Sequence, residues 1–408
     1  MNKFLQEFHE RGYFYQCTDN DGLSKILDNK KIKAYIGFDC TAESLHVGSL
    51  LQIMCLRLLQ KYGHQPIVLL GGGTTRIGDP SGKDKTRQML GEKSIEKNIK
   101  NIEKILKNFL ATENKKTSPI FVNNYDWLKN LNYISFLRDI GKHFTINKML
   151  SFDSVKLRLE REQSLSYMEF NYMILQAYDF LELNNKHNCL LQIGGSDQWG
   201  NIVNGVELIK RHSAKEVFGL TTPLITLASG AKMGKTESGA VWLDKKLLSP
   251  YDYWQFWRNV DDRDLLKFLN IFTDIPVDEI KKRKNDDIND LKILLANKAT
   301  SMLHGEKESK KSFEQAKKIF SENSSDEGLP IYKITKNQVE NKNLSDLILI
   351  TKLENSKSEI KRLIKNNGIK INNLKVQEDL AFSKIYLNNK NFFKLSIGKK
   401  KHFKIEIN

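Results

Sequence analysis

Short apolar segments alternate with amphipathic segments over the first 220 residues, and this alternation constrains the fold more than any other feature. Segments typical of strands lie at 33–38, 65–71, 118–123 and 189–194. Apolar residues at helical spacing fill the intervals, at 50–62, 92–110, 128–140 and 166–183. Strands that alternate with helices in this way predict an α/β fold, with a parallel sheet covered by helices.

The pattern changes after about residue 222. Three further segments have helical spacing, and we expect helices over 250–272, 286–303 and 306–320. The stretch 321–328 is polar and without apolar periodicity, which is typical of a linker. The part of the chain after residue 328 is basic. The chain therefore divides into a parallel-sheet part (1–222), an α-helical part (223–320), a linker (321–343) and a small C-terminal part (344–408).

Charge indicates a polyanionic partner. The chain has 65 Lys and Arg against 49 Asp and Glu, a net charge of +16. Residues 331–408 hold 17 of the basic and 7 of the acidic residues, so most of the surplus lies at one end. Nucleic acid is the partner that such a basic segment favours. The alternative is a solvated basic surface in a lysine-rich protein, since Lys outnumbers Arg by 53 to 12.

Other classes of protein are excluded by what the sequence lacks. No apolar run reaches the 18–20 residues, roughly, of a membrane span. The first seven residues have no apolar signal segment. The four cysteines are scattered without a CxxC pair, which argues against a disulfide scaffold or a zinc ribbon. We therefore expect a cytoplasmic protein with no membrane partner and no metal-ligating cluster.

Two glycine-containing segments follow predicted strands and are suited to phosphates. His46-Val47-Gly48-Ser49 opens a helix, where free backbone N–H groups favour anions. The second segment runs from Gly71 to Lys83, but it is not a P-loop, because Ile77 stands where Gly is required and Asp84 follows Lys83. Lys83 and Arg87 could still reach phosphates. The alternatives are an ordinary capping histidine and a surface loop.

Two later segments carry clustered polar groups. Lys232 and Lys235 flank Met-Gly in a loop, which suits the charge of a polyphosphate, although a solvated basic turn is the alternative. Tyr172, Gln176 and Asp179 share one face of an otherwise apolar helix. Such a face is costly to bury unless it meets a polar ligand or protein partners.

Together these segments resemble the class I aminoacyl-tRNA synthetases, and within that class the bacterial tyrosyl enzymes. His46-Val47-Gly48-Ser49 is similar to the family's HIGH signature, and Lys232-Met233-Gly234-Lys235-Thr236 to its KMSKS signature. Further blocks lie at 35–39, 78–82, 122–127, 176–180 and 194–202. The segment 344–376 resembles a small RNA-binding domain. The resemblance covers the chain nearly end to end.

The resemblance implies a Rossmann-like catalytic domain over 1–222 and an α-helical, anticodon-binding domain over 223–320 that carries the KMSKS-type loop at its start. It also implies a small basic α+β RNA-binding domain over 344–408. The implied reaction is activation of L-tyrosine with ATP, then transfer to tRNA(Tyr). Mg²⁺ is expected with ATP, and no organic cofactor. The family is homodimeric.

The resemblance also implies roles for individual residues. The catalytic residues, which act at the phosphates, are Thr41, His46, Lys83, Arg87, Lys232, Lys235 and Thr236. Tyrosine would be bound through Tyr35, Asp79, Tyr172, Gln176, Asp179 and Gln198. ATP would be bound through Gly37, Asp39, His46, Gly48, Ser49, Gly195, Asp197 and Lys235. RNA would be contacted by Lys357, Lys361 and Arg362.

One residue departs from the family pattern, and three alternative functions remain. Ser49 stands where many relatives have a second histidine, so we expect an altered affinity for ATP without loss of activity. A tryptophanyl enzyme shares the fold, but Tyr35 and Asp179 argue against it. Another nucleotidyl transferase would not need the helical and RNA-binding domains. An RNA-binding factor on a synthetase scaffold is disfavoured by the apparently complete set of site residues.

Overall fold

The computed structural model describes residues 2–81, 90–236, 239–320, 329–340, 342–351, 353–354, 356–372, 374–382, 385, 387, 391–398 and 401–407. They form two compact units, Met1–Lys310 and Lys311–Asn408. No helix among these residues is both long and apolar enough to cross a bilayer.

A sheet forms the centre of the first unit. Its described strands are β1 (Gln16–Cys17), β2 (Lys33–Asp39), β3 (Gln65–Gly71), β4 (Ile120–Asn123), β5 (Cys189–Gly195) and β6 (Phe218–Thr222). The spatial order is β1-β6-β5-β2-β3-β4, and all neighbours are parallel except β1 and β6. The predicted parallel sheet is confirmed. The chain leaves β2 for β3 on one side and later returns to β5 on the other, so β2 and β5 flank a topological switch point.

Helices surround this sheet and continue beyond it. Those up to β6 are α1 (Lys3–Glu10), α2 (Asn20–Asn29), α3 (Leu50–Lys61), α4 (Thr74–Ile77), α5 (Glu92–Phe109), α6 (Tyr125–Leu128), α7 (Tyr133–Asp139), α8 (Ile146–Ser151), α9 (Asp153–Glu160), α10 (Tyr167–Phe170), α11 (Tyr172–His187) and α12 (Trp199–Ser213). The hairpin β7 (Lys235–Thr236) and β8 (Gly239–Ala240) precedes α13 (Pro250–Arg258), α14 (Asp262–Phe272), α15 (Val277–Lys282), α16 (Ile288–His304) and α17 (Glu306–Phe320), which ends in the second unit.

The core of the first unit explains why β3 and α3 are apolar over most of their length. Every residue of β3 after Gln65 is buried, as expected for a central parallel strand covered on both faces. Eight of the twelve residues of α3 are buried, so this helix is enclosed on most of its circumference. Both elements therefore form a rigid support for the loops at the carboxyl edge of the sheet.

Three helices that the spacing predicts as continuous are interrupted in the structure. The predicted helix 250–272 is α13 and α14, because the Asp261 side chain accepts from the Arg263 N–H and starts a new helix. Within the predicted helix 128–140, only Leu128, the last residue of α6, and α7 are helical. Asn132 caps α7 by accepting from the Ser135 N–H at 3.0 Å. The predicted helix 166–183 breaks at Asn171. In the first two cases a side-chain cap divides a segment whose apolar spacing runs on, whereas Asn171 accepts no capping hydrogen bond.

The second unit is built on an antiparallel sheet with one parallel pair. It contains β9 (Ile331–Ile334), α18 (Lys336–Val339), α19 (Leu344–Ile350), α20 (Lys357–Lys365), β10 (Ile369–Ile371), β11 (Leu374–Lys375), β12 (Phe392–Ile397) and β13 (Lys401–Ile407). The strand order is β11-β10-β12-β13-β9, with β9 parallel to β13. An apolar core lies between the sheet and α19 and α20. The predicted α+β character of this segment is confirmed.

Candidate active site

A cavity of about 340 Å³ opens at the carboxyl ends of β2 and β5, where the strand order reverses. Ligands of open α/β sheets bind at this position. Twelve of the predicted site residues line the cavity. They are Tyr35, Gly37, Asp39, Gly48, Ser49, Asp79, Tyr172, Gln176, Asp179, Gly195, Asp197 and Gln198.

The deep end of the cavity contains the carboxyl of Asp179, which has no solvent exposure. This carboxyl accepts hydrogen bonds from Trp127 Nε1 at 2.8 Å and from Asn124 Nδ2 at 2.9 Å. Burial raises the pKa of Asp179 to about 7, even though both hydrogen bonds favour the charged form. The two hydrogen bonds hold the carboxyl in one orientation beside the cavity.

Tyr35 contributes a second polar group to the same end. Its ring is 1% exposed and packs against Phe180, with 5.3 Å between centroids. Its hydroxyl has no hydrogen-bond partner among the described residues. Burial, with Asp179 nearby, holds the pKa of Tyr35 well above its usual value, so the hydroxyl stays protonated. A buried hydroxyl without a partner costs free energy unless a ligand or water satisfies it.

The middle of the cavity is acidic. Tyr172 Oη lies 3.3 Å from Asp39 Oδ2, and Gln198 Nε2 donates to Asp79 Oδ2 at 2.9 Å. Burial, and then Asp79, raise the pKa of Asp197, whereas Lys232 lowers it. With Asp179, four carboxyl groups line the cavity, which favours a ligand that carries a positive charge.

The cavity also reaches the segment that opens α3, through Gly48 and Ser49. His46 precedes them without lining the cavity, and it caps the 3₁₀ helix Val47–Ser49 that leads into α3. His46 Nδ1 accepts from the Gly48 N–H at 3.0 Å. In the neutral ring the proton is therefore on Nε2, which can donate to a phosphate oxygen. A Cβ on Gly48 would lie 3.0 Å from the Met233 carbonyl, so the absence of a side chain lets the two signature segments meet.

The other predicted residues either do not line the cavity or are described by the structure only in part. Thr41 is exposed on the loop after β2 and does not line the cavity. Lys232 is exposed. For Lys235 and Thr236 the structure describes the backbone, in β7, and not the side chains. Lys83 and Arg87 lie outside the described residues.

In the second unit, the three predicted RNA-binding residues lie on α20 and are exposed. Lys357 Nζ is 2.5 Å from Asp346 Oδ1, and Arg362 Nη2 is 2.7 Å from Glu359 Oε1. Exposed pairs of this kind contribute little free energy and separate readily, so these cations remain accessible to phosphates.

Three polar residues around the cavity have no role predicted from the sequence. Asn124 and Trp127 hold Asp179, and Asn124 Oδ1 also accepts from the Gly73 N–H at 2.7 Å. Gln192 lines the cavity, and its Oε1 has no partner among the described residues. The position of Asn124 and Trp127 in the sequence could have indicated their role, because both closely follow β4 at the carboxyl edge of the sheet.

Comparisons with known proteins identify the family of the chain. A family model described as tRNA synthetases class I (W and Y) matches residues 27–321. A second model, described as the tyrosine–tRNA ligase SYY-like C-terminal domain, matches residues 322–405.

Individual relatives match over the whole length. The tyrosine–tRNA ligase of Pelagibacter ubique (strain HTCC1062) is 74% identical over 408 residues, which cover all of both chains. That of Wolbachia sp. subsp. Brugia malayi (strain TRS) is 55% identical over 412 residues, covering 100% of this chain and 99% of the relative. A C-terminally truncated mitochondrial tyrosyl-tRNA synthetase of Aspergillus nidulans has a solved structure. It matches with a TM-score of 0.71 and 30% identity, over 78% of this chain and 94% of that one. The chain therefore belongs to the class I tRNA synthetases of the tryptophanyl and tyrosyl group, and within it to the tyrosine–tRNA ligases.

Proposed function

We propose that the chain ligates L-tyrosine to tRNA(Tyr) at the expense of ATP. The observation that carries this function is the deep end of the cavity, where the buried Asp179 carboxyl and the unpartnered Tyr35 hydroxyl lie together. A phenol can donate to the carboxylate and accept from the hydroxyl, so it satisfies both groups. Phenylalanine would leave the Tyr35 hydroxyl without a partner and would supply no donor to Asp179. An indole N–H could serve only as a donor.

The reaction has two steps and needs no protein nucleophile. A carboxylate oxygen of tyrosine attacks the α-phosphorus of ATP, the bond to the bridging oxygen breaks, and pyrophosphate leaves. A hydroxyl of the terminal adenosine of the tRNA then attacks the carbonyl of tyrosyl-adenylate, and AMP leaves. The protein contributes orientation and stabilisation of charge. Mg²⁺ enters with ATP as part of the substrate.

For tyrosine, the assignment follows the cavity from its deep end outward. Tyr35 and Asp179 bind the phenolic hydroxyl. The acidic middle of the cavity suits the ammonium group, which we assign to Asp79, Tyr172 and Gln176. Gln198, which is already bonded to Asp79, lies beside the carboxylate that reacts.

For ATP, the assignment uses the start of α3 and the end of β5. Gly48 lies under the adenosine, Asp197 binds the ribose, and His46 and Thr41 contact the phosphates. Gly37, Asp39, Ser49 and Gly195 complete the nucleotide site. As pyrophosphate leaves, the groups assigned to its charge are Lys83, Arg87, Lys232, Lys235 and Thr236.

For the tRNA, we assign the helical segment 223–320 to the anticodon arm and the segment 344–408 to a further RNA contact. The exposed Lys357, Lys361 and Arg362 on α20 support the second assignment. Phosphate contacts by exposed cations position an RNA without reading its sequence. The protein is accordingly assigned to the cytoplasm, where translation supplies the tRNA.

A homodimer is supported by the exposed apolar side chains of helices α7 to α10. Eight large apolar side chains are exposed between residues 133 and 167, and isolated exposed residues are ordinary whereas a cluster marks an interface. They are Tyr133, Ile134, Leu137, Ile146, Leu150, Leu157, Leu159 and Tyr167. The hydroxyls of Tyr133 and Tyr167 lie 3.0 Å apart, so α7 and α10 present one surface.

Sedimentation tests this assembly. Ile134→Glu, at a site that is 70% exposed, should convert a dimer to a monomer, because a charge is then buried in an apolar interface. Ile288→Glu, at a site that is 47% exposed outside the surface, is the control and should leave the dimer intact. A wild-type chain that sediments as a monomer at micromolar concentration contradicts the assignment.

The proposed function is tested by amino-acid-dependent exchange of labelled pyrophosphate into ATP, with all twenty amino acids and without tRNA. Exchange with tyrosine alone is expected. Exchange with tryptophan instead would assign the chain to the tryptophanyl enzymes. No exchange with any amino acid from folded protein that binds ATP would favour the RNA-binding alternative.

A further inference from the structure

The histidine signature is joined by a short antiparallel ladder to residues 241–243, which follow the lysine signature, although almost 200 residues separate the paired segments in sequence. The Leu243 N–H donates to the Leu45 carbonyl at 2.9 Å, and the Val47 N–H donates to the Val241 carbonyl at 3.0 Å. Trp242 is the residue opposite His46 in this ladder.

The ladder continues directly into the lysine loop, here defined as residues 231–236. The Val241 N–H donates to the Gly234 carbonyl at 3.2 Å. Gly234 itself lies against the histidine, since a Cβ on it would be 2.7 Å from His46 Nδ1. The lysine loop is therefore in direct contact with the segment that carries His46.

The Trp242 side chain contacts the His46 ring. The ring centroids are 6.3 Å apart at an interplanar angle of 63°, an edge-to-face arrangement. Trp242 is half-buried, between the buried Val241 and Leu243. The imidazole is thus restrained at Nδ1 by the Gly48 N–H and on its ring by Trp242.

We propose that Trp242 is a positioning residue for adenylate formation, which holds the His46 ring so that Nε2–H points at the α-phosphate as the lysine loop closes on pyrophosphate. This inference rests on the proposed function. Trp242 need not touch substrate, since it acts through His46. Its backbone N–H and carbonyl do not carry the two ladder bonds given above, so replacing its side chain leaves them intact.

The test is a set of substitutions assayed by tyrosine-dependent pyrophosphate exchange. Trp242→Ala and Trp242→Leu should each lower kcat by about threefold to tenfold, the value of one aromatic contact, with KM for tyrosine unchanged. Trp242→Phe, which keeps a ring edge against His46, should stay within about twofold of wild type. Phe256→Ala is the matched control, because it removes another half-buried ring, one that packs on Trp257 rather than His46.

A double-mutant cycle separates positioning from general stabilisation. In a His46→Asn background, Trp242→Ala should cause no further loss of kcat, because the residue through which it acts has been removed. An equal loss in both backgrounds, or full activity of Trp242→Ala in the wild-type background, would overturn the inference. Failure of the wild-type protein to exchange at all would instead refute the proposed function.

Discussion

The two ends of the cavity are built by different means. At the phenol end, buried side chains are fixed to one another, since Asp179 accepts from Asn124 and Trp127 and Asn124 accepts from the backbone of Gly73. At the phosphate end, close contacts at Gly48 and Gly234 and a backbone ladder bring the His46 segment together with the lysine loop. The side chains of the first arrangement are fixed before any ligand arrives. The second suits a charge that develops only during the reaction.

We infer from this difference that the phenol end determines selectivity for the amino acid and that the phosphate end determines the rate. A rigid, buried polar group discriminates strongly, because the wrong ligand leaves it unpaired. Cations on loops can follow a leaving group, and they need not distinguish one amino acid from another. Substitutions at the phenol end should therefore change the use of tyrosine, and those at the phosphate end should change kcat.

The largest effect is expected from Asp179→Asn. The new amide presents an N–H₂ or a weaker acceptor to two donors, Trp127 Nε1 and Asn124 Nδ2, and the charge-assisted bond to the phenol is lost. We expect kcat/KM for tyrosine to fall by about a hundredfold. Glu182→Gln, which removes a carboxylate from the next turn of α11 that pairs with Lys186, is the control. A loss below fivefold for Asp179→Asn would show that the phenol binds elsewhere.

Gly234→Ala should have the next largest effect, on kcat. Gly234 has φ +113°, and its Cβ would lie 2.7 Å from His46 Nδ1. Strain and displacement together should lower kcat for pyrophosphate exchange by about tenfold, with the Kd for tyrosine unchanged. Gly230→Ala shares the positive φ, at +83°, but its Cβ meets nothing within 4 Å. Equal losses in both variants would mean that backbone strain alone matters, and not the contact with His46.

A pH dependence of tyrosine binding should follow from Asp179. Its pKa of about 7 means that the carboxyl gains a proton below pH 7, whereas the phenol of tyrosine stays protonated and needs the charged acceptor. Affinity should therefore rise with pH, by about tenfold between pH 6 and the plateau above pH 8. Titration calorimetry measures it, and Glu182→Gln should move the profile slightly to lower pH, because the Glu182 carboxylate is one of the charges that raise the pKa of Asp179. A Kd that is constant from pH 6 to 8 would contradict this.

The raised pKa of Asp179 should make the free energy of unfolding fall as the pH rises, whereas the affinity for tyrosine should increase. The unfolded carboxyl releases its proton near pH 4, while the folded one keeps it until about pH 7. The contribution of Asp179 to the free energy of unfolding is therefore greatest below pH 4 and is lost between pH 4 and 7. Asp179→Asn should remove this component from the pH dependence of chemical denaturation.

The smallest effect is expected from Ser49→His. Ser49 lines the cavity and its side chain makes no capping bond at the start of α3. A histidine reaches further and can donate to the nucleotide, so we expect KM for ATP to change by about twofold to fivefold. The KM for tyrosine should stay constant, which separates the two ends of the cavity. Unchanged KM for ATP and turnover would show that the reach of residue 49 is irrelevant.

Much of the fold could be predicted from local patterns. The strand 65–71 is found as β3 with the predicted bounds, and the helix 50–62 ends one residue earlier, at Lys61. The prediction was wrong where a cap interrupts a continuous apolar pattern, at Asp261 and Asn132. The spacing also gave no signal for β6, whose pairing with β5 is a long-range contact.

The candidate site was predictable where residues share one element. Tyr172, Gln176 and Asp179 were placed on one face by helical spacing, and all three line the cavity. The roles of Asn124 and Trp242 were not predictable. Each depends on a partner far away in sequence, Asp179 for the first and His46 for the second. Such contacts follow from the packing of elements and not from the spacing of residues within one.

The most direct test of the central claim is the ratio of kcat/KM for tyrosine to that for phenylalanine in pyrophosphate exchange. The two amino acids differ by one hydroxyl, so the ratio isolates the contribution of Asp179 and Tyr35. An unpaired Tyr35 hydroxyl and the missing phenol bond to Asp179 should together favour tyrosine by about a thousandfold. A ratio near one would show that the buried pair does not read the phenol, and would contradict this account of the site.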